Sequence, residues 1–173
     1  FSGWVYFDCS ADSFDFLYDE NNPFLFETSE QGIHTFEGEQ FIVFNSGGQN
    51  LIARHRSWSG ESPGIFIDPD TLYTFEVENV ADTIIAGEAF PLQVFNALDR
   101  YGNLANGIVR VIGGPGIVPS PNGIHPDLNE IWVTGGTGQS NQRLFASGNV
   151  AMVLVTEFYA DTTNFFTVMP DEF

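Results

Sequence analysis

The residues of this 173-residue chain that are best suited to chemistry are its carboxylates, 23 Asp and Glu against 5 Arg and no Lys, for a formal charge of −18. Clusters made only of oxygen ligands suit a hard cation. Two stretches gather them: Asp12, Asp15 and Asp19 beside Glu20, Asn21 and Asn22, and the tripeptide Asp68-Pro69-Asp70. Calcium is therefore the one cofactor the sequence suggests, with Asp12, Asp15, Asp19, Asp68 and Asp70 as its ligands. Neither stretch follows an EF-hand pattern, and a solvated acidic surface is the competing reading. Catalytic groupings are missing. His34, His55 and His125 are scattered, with no H-x-H or H-E-x-x-H spacing, and Cys9 has no His near it in sequence. Gly113-Gly114-Pro115-Gly116 is not followed by the Gly-Lys-Ser/Thr of a phosphate loop. Asp99 and Asn103, around Tyr101-Gly102, read as a turn whose side chains bond local backbone while Gly102 takes a positive φ. The expectation is a protein that is not an enzyme.

The same charge argues against nucleic acid, because phosphate neutralisation needs clustered Lys and Arg. No run of about 18 apolar residues is present, so membrane insertion by a helix is not expected. There is no basic-flanked apolar leader at the start; an exported chain would have lost one or carry it upstream. A single cysteine, Cys9, forms no intrachain disulfide and reads as a small buried hydrophobe. Aromatic residues make up 15% of the chain. Trp4, Tyr6, Trp58, Tyr101 and Trp132 could stack on sugars, with core and interface packing as the default. Trp4 and Tyr6 share one face of a strand opposite Val5 and Phe7, so one of those pairs faces outward.

The elements that must position these groups are strands. Gly, Pro, Asn, Ser and Asp punctuate short runs of Phe, Val, Ile and Tyr, and no stretch sustains helical periodicity. Tyr73, Phe75 and Val77 alternate with Thr74, Glu76 and Glu78; Phe90, Leu92 and Val94 alternate with Pro91 and Gln93. Further strands are expected at Gly3–Asp8, His34–Phe36, Gln40–Phe44, Asn50–His55, Gly64–Ile67, Gly107–Ile112, Glu130–Val133, Arg143–Phe145, Val150–Phe158 and Phe165–Val168. Tight turns fall at Gly47-Gly48, Asn106-Gly107, Asn122-Gly123 and Gly135-Gly136. About a dozen strands exceed one seven-stranded sandwich, which implies two all-β domains, 1–77 and 78–173. Tyr73–Val77 resembles Asn164–Val168, and each is expected to close its domain.

Ala86-Gly87-Glu88-Ala89-Phe90-Pro91-Leu92-Gln93-Val94, then Ala97-Leu98-Asp99-Arg100-Tyr101-Gly102-Asn103, resembles the A-G-x-x-F-x-L-x-V and A-x-D-x-Y-G-N of prokaryotic immunoglobulin-like surface repeats. One extra residue between Val94 and Asp99 reads as a β-bulge. Gln31-Gly32-Ile33-His34-Thr35-Phe36 and Gly47-Gly48-Gln49-Asn50-Leu51-Ile52-Ala53 are similar to the later half of the same repeat. The resemblance implies two tandem immunoglobulin-like β-sandwich domains at an extracellular or cell-surface location, and no activity.

Aligned on that repeat, domain 78–173 is complete and domain 1–77 lacks its opening strands. The expected role is a structural subunit or repeat segment of an extracellular fibre, stalk or adhesin. Its partner would be itself, through tandem linkage or strand complementation, since an unfilled sandwich exposes an unpaired edge. Phe1, Trp4, Tyr6, Phe165, Phe166, Val168 and Phe173 are the expected interface, with Phe165–Phe173 as the donor or connecting strand. The alternative is an immunoglobulin-like module that binds surface glycans or another partner.

Overall fold

The computed structural model describes residues 2–31, 33–113 and 130–171. Over those residues the chain is all-β, with one 3-10 turn at Thr28–Glu30. It divides into two compact units, Phe1–Pro69 and Asp70–Phe173. The division falls inside Asp68-Pro69-Asp70 and not at residue 77/78.

The first unit contains β1 (Gly3–Cys9), β2 (Phe14–Phe16), β3 (Phe24–Phe26), β4 (Phe41–Val43), β5 (Gly47–Gln49), β6 (Leu51–His55), β7 (Trp58–Glu61) and β8 (Ile65–Ile67). They form a four-stranded sheet ordered β3-β1-β6-β7 and two ribbons, β2-β4 and β5-β8. The expectation that residues near Phe1–Phe7 need strands from elsewhere is corrected here. β1 pairs with β3 through Gly3–Val5 and with β6 through Tyr6–Cys9, and the Phe7 N–H donates to the Tyr18 carbonyl at 2.8 Å. The neighbour absent from the sequence reading is Phe24–Phe26, too short and too uniformly aromatic to show a period-2 pattern.

Burial in this unit is thin. Cys9, Ala11 and Phe16 are its buried cluster, with Phe7, Phe14, Phe41, Val43 and Leu51 half-buried around it. Aromatic edge contacts carry much of the packing: Phe7 meets Phe36 and Phe41 at 5.1 Å each, and Phe36 meets Phe24 at 5.1 Å. Such edge-to-face pairs add about 0.5–1.5 kcal/mol each beyond area burial. His34–Phe36 is not a strand; His34 instead lies among Phe24, Phe26 and Phe36 and shares a 2.6 Å hydrogen bond with Glu30.

The second unit contains β9 (Thr74–Val77), β10 (Thr83–Ile85), β11 (Ala89–Leu98), β12 (Gly107–Gly113), β13 (Glu130–Thr134), β14 (Thr137–Arg143), β15 (Gly148–Val150), β16 (Val153–Val155), β17 (Ala160–Thr162) and β18 (Phe166–Met169). A seven-stranded sheet runs β17-β16-β12-β13-β14-β11-β9 and a three-stranded sheet β10-β18-β15. Both sheets bury residues in one core: Phe75, Leu92, Val94, Val109, Ile131 and Leu154 from the first, Ile84, Val150, Phe166 and Val168 from the second. Thr74–Val77 therefore opens this unit and does not close the first, because its Phe75 is packed away in this core.

The edges of the large sheet also meet. β9 lies against β17, and the Val77 N–H, at the free edge of β9, donates to the Asp161 carboxylate at 3.1 Å. Asn164 does similar service nearby, accepting the Val80 N–H at 2.8 Å and donating to the Val80 carbonyl at 2.9 Å. Side chains thus replace a strand partner where two edges would otherwise stand open.

The Asp99 clamp and the exposed faces

β11 is the strand on which the second unit is organised. Phe90, Leu92 and Val94 point into the core at alternate positions. A strict period of 2 would next send residue 96 inward. Instead the register against β9 shifts between Phe95 and Leu98, and Asn96 takes φ 46°, a conformation that Asn tolerates better than most residues. This is the bulge the extra residue implied. Its consequence is a change of phase: Ala97 and Asp99 face inward, and Asp99 is only 2% exposed.

A buried carboxylate needs partners, and the D-x-Y-G-N turn supplies them. Asp99 accepts the N–H of Tyr101 at 2.8 Å, the N–H of Asn103 at 2.9 Å and the Asn103 side-chain amide at 2.8 Å. Gly102 sits at φ 86° and donates back to the Asp99 carbonyl at 3.2 Å. The fourth donor is remote in sequence: the Asp70 N–H at 3.0 Å. Burial works against the charge, but the Asn103 side chain and the backbone N–H groups of Asn103, Asp70 and Tyr101 outweigh it and hold the carboxyl below its ordinary range. Arg100 reinforces the attachment by pairing with the Asp70 carboxylate at 2.9 Å while lying over the Tyr101 ring. The turn therefore closes a loop and also grips the point at which the chain enters the unit.

The five expected calcium ligands are not gathered. Asp12 and Asp15 are exposed, Asp15 on β2, and Asp68 is exposed too. Asp19 accepts the backbone N–H groups of Asn21 at 2.9 Å and Asn22 at 3.0 Å, a self-closed turn whose Asn21 bond leads in lowering its pKa. Asp70 is engaged with Arg100. Among the described residues no three Asp, Glu, His or Cys side chains come together as a metal-holding group. Thermal melts in calcium and in a chelator are expected to coincide; a rise of several degrees with calcium would show carboxylates meeting around the ion.

The expected interface divides. Trp4 is 57% exposed and Tyr6 half-buried, on the outer face of β1, with Val5 buried beneath. Phe165 is exposed. Phe166 and Val168 are corrected: each is 1% exposed within the second unit's own core. β18 is paired on both sides, with β10 in parallel and β15 antiparallel, so it has no free edge to donate. Phe1 and Phe173 lie outside the described residues, as do Asn122-Gly123, His125 and most of the run that begins at Gly113. In the first unit, β7 is the outer strand of its sheet and exposed throughout, with Trp58 at its start.

Beside β1 lies a groove of about 390 Å³ lined by Ser2, Gly3, Trp4, Tyr6, Pro23, His55 and Arg56. No sequence signal singled out Arg56, because its position depends on a hairpin turn between β6 and β7.

No family model and no curated protein matches the chain. Three solved structures of the S-layer protein SbsC are similar to it. A crystal structure of domains 4 and 5 is 11% identical with a TM-score of 0.43, covering 96% of this chain and 98% of that one. A structure of domains 4–9 is 11% identical with a TM-score of 0.44, covering 99% of this chain and 31% of that one. A crystal structure of rSbsC(31-844) is 10% identical with a TM-score of 0.45, covering 97% and 28%. The chain spans about a third or less of the two longer structures.

Proposed function

We propose that the chain is a structural segment of an extracellular, cell-surface protein, built of two tandem immunoglobulin-like sandwich units that carry load along the chain, with no catalysis of its own. The carrying observation is how the chain threads its second unit. It enters at Asp70, which is bonded to Asp99 at one end of β11. It leaves along β18, where the Met169 carbonyl accepts the Ala86 N–H. Ala86 belongs to the turn that leads into Ala89, the other end of β11. Ten residues of strand separate the two ends, about 30 Å.

Tension between those ends acts on β10 and β18, which run in parallel from Thr83↔Thr167 to Ile85↔Met169. Strands pulled along their own length must break their bonds together and not one at a time. The acidic, lysine-free surface suits hydration outside a cell. Assembly with further copies then proceeds by tandem linkage, or by strand addition at the exposed edge of β7. Antibody against the second unit is expected to label intact cells of the source. Labelling confined to permeabilised cells would remove the surface role.

A further inference from the structure

We propose that the groove beside β1 is a binding site for a carboxylated sugar, a uronic-acid type of saccharide, with Trp4 and Tyr6 as its stacking faces and Arg56 as the carboxylate receptor. The ring pair comes from strand geometry. Trp4 and Tyr6 stand at i and i+2 on the outer face of β1, about 7 Å apart along the strand, and both line the groove, so a pyranose face can lie against either ring. Trp4 is exposed although it borders a concave surface, and a groove of about 390 Å³ lies in the range that small ligands occupy.

Arg56 supplies the specificity. Of the five arginines, Arg54 pairs with Asp8 at 3.1 Å, Arg100 with Asp70 at 2.9 Å and Arg110 with Glu130 at 3.5 Å, and Arg143 donates to the Gly87 carbonyl at 2.8 Å. Among the described residues Arg56 alone has no such partner, in a chain with 23 carboxylates to choose from. Its backbone also stands at φ 53° at the tip of the β6–β7 hairpin. That position favours Gly or Asn, and another residue there costs about 1 kcal/mol or more. A strained backbone that presents an exposed guanidinium with no carboxylate partner to a groove with two aromatic rings is poorly explained by stability and well explained by a ligand. The planar fork of arginine matches a carboxylate bidentately. A phosphate or a bare protein carboxylate would use the fork but leave both rings idle; a neutral sugar would use the rings but offer the fork only hydroxyl oxygens in place of a charged bidentate acceptor.

The test is a titration of the whole chain with sodium glucuronate and, separately, glucose, followed by NMR at the tryptophan indole N–H groups. Glucuronate is expected to shift the Trp4 resonance saturably and to bind about tenfold or more tighter than glucose, the difference a charge-assisted bidentate contact supplies. In Arg56→Gly the preference for glucuronate disappears while the melting temperature stays level or rises, because glycine accepts the left-handed turn. Arg56→Lys keeps the charge without the fork and falls between. Absence of a saturable shift, equal response to the two sugars, or Arg56→Gly binding glucuronate as before would each overturn the proposal. So would a melting temperature that falls along with the binding, since Arg56 would then be a structural residue.

Discussion

Asp99→Ala is expected to lower the stability of the second unit by about 3 kcal/mol, because it leaves the partly buried N–H donors of Tyr101, Asn103 and Asp70 without their shared acceptor. For a unit of this size that corresponds to a fall in melting temperature of roughly 15 °C or more. Asp99→Asn keeps the volume but turns part of an acceptor into a donor aimed at other donors, and is expected to recover little.

The carboxyl's pKa lies below its unfolded value. Its contribution is therefore fully present above the unfolded value, near 3.9, and is lost as pH falls through the lower folded one. The wild-type chain should lose stability in acid over that interval, and Asp99→Ala should show a flatter profile there. Parallel acid profiles for the two chains would mean that Asp99 does not carry the effect.

The second large effect concerns where the unit begins. Residues 70–173 are expected to fold cooperatively alone, whereas 78–173 should not. The shorter piece lacks β9, and with it Phe75 and Leu72, both buried in the core. Losing a buried Phe alone costs about 3–5 kcal/mol, comparable to a domain's whole stability. The shorter piece also lacks the Asp70 N–H that Asp99 holds. Circular dichroism melts of the two pieces decide the point: matching transitions would return the boundary to residue 77.

β11 was legible in the sequence because Phe90, Leu92 and Val94 alternate cleanly, and the bulge was legible because the Asp99 turn arrives one residue late. The Gly135-Gly136 turn was legible too; both glycines take positive φ, and Thr134 faces Thr137 across it. β14 was not: Thr-Gly-Gln-Ser-Asn-Gln-Arg has no aliphatic residue, yet it lies between β13 and β11, where backbone ladders on both sides hold it.

Phe165–Val168 illustrates a deeper limit. Alternation tells which side of a strand is apolar but not whose core receives it. A strand that completes another molecule and one that completes its own have the same pattern. The same limit placed Thr74–Val77 in the wrong unit. The groove beside β1 was half legible, Trp4 and Tyr6 from their spacing, while Arg56 needed the hairpin that brings it to the same lining.

The central claim is that the second unit resists tension along the chain. It is tested most directly by single-molecule unfolding with two attachment geometries. Tethers at Asp70 and Asp171 load β10 against β18 along their length. Tethers at Ser147 and Asp171 pull β15 from β18 beginning at Gly148↔Val168, so that bonds open in sequence. A clearly higher unfolding force for the first geometry is the expected result; an equal or lower one would contradict the account.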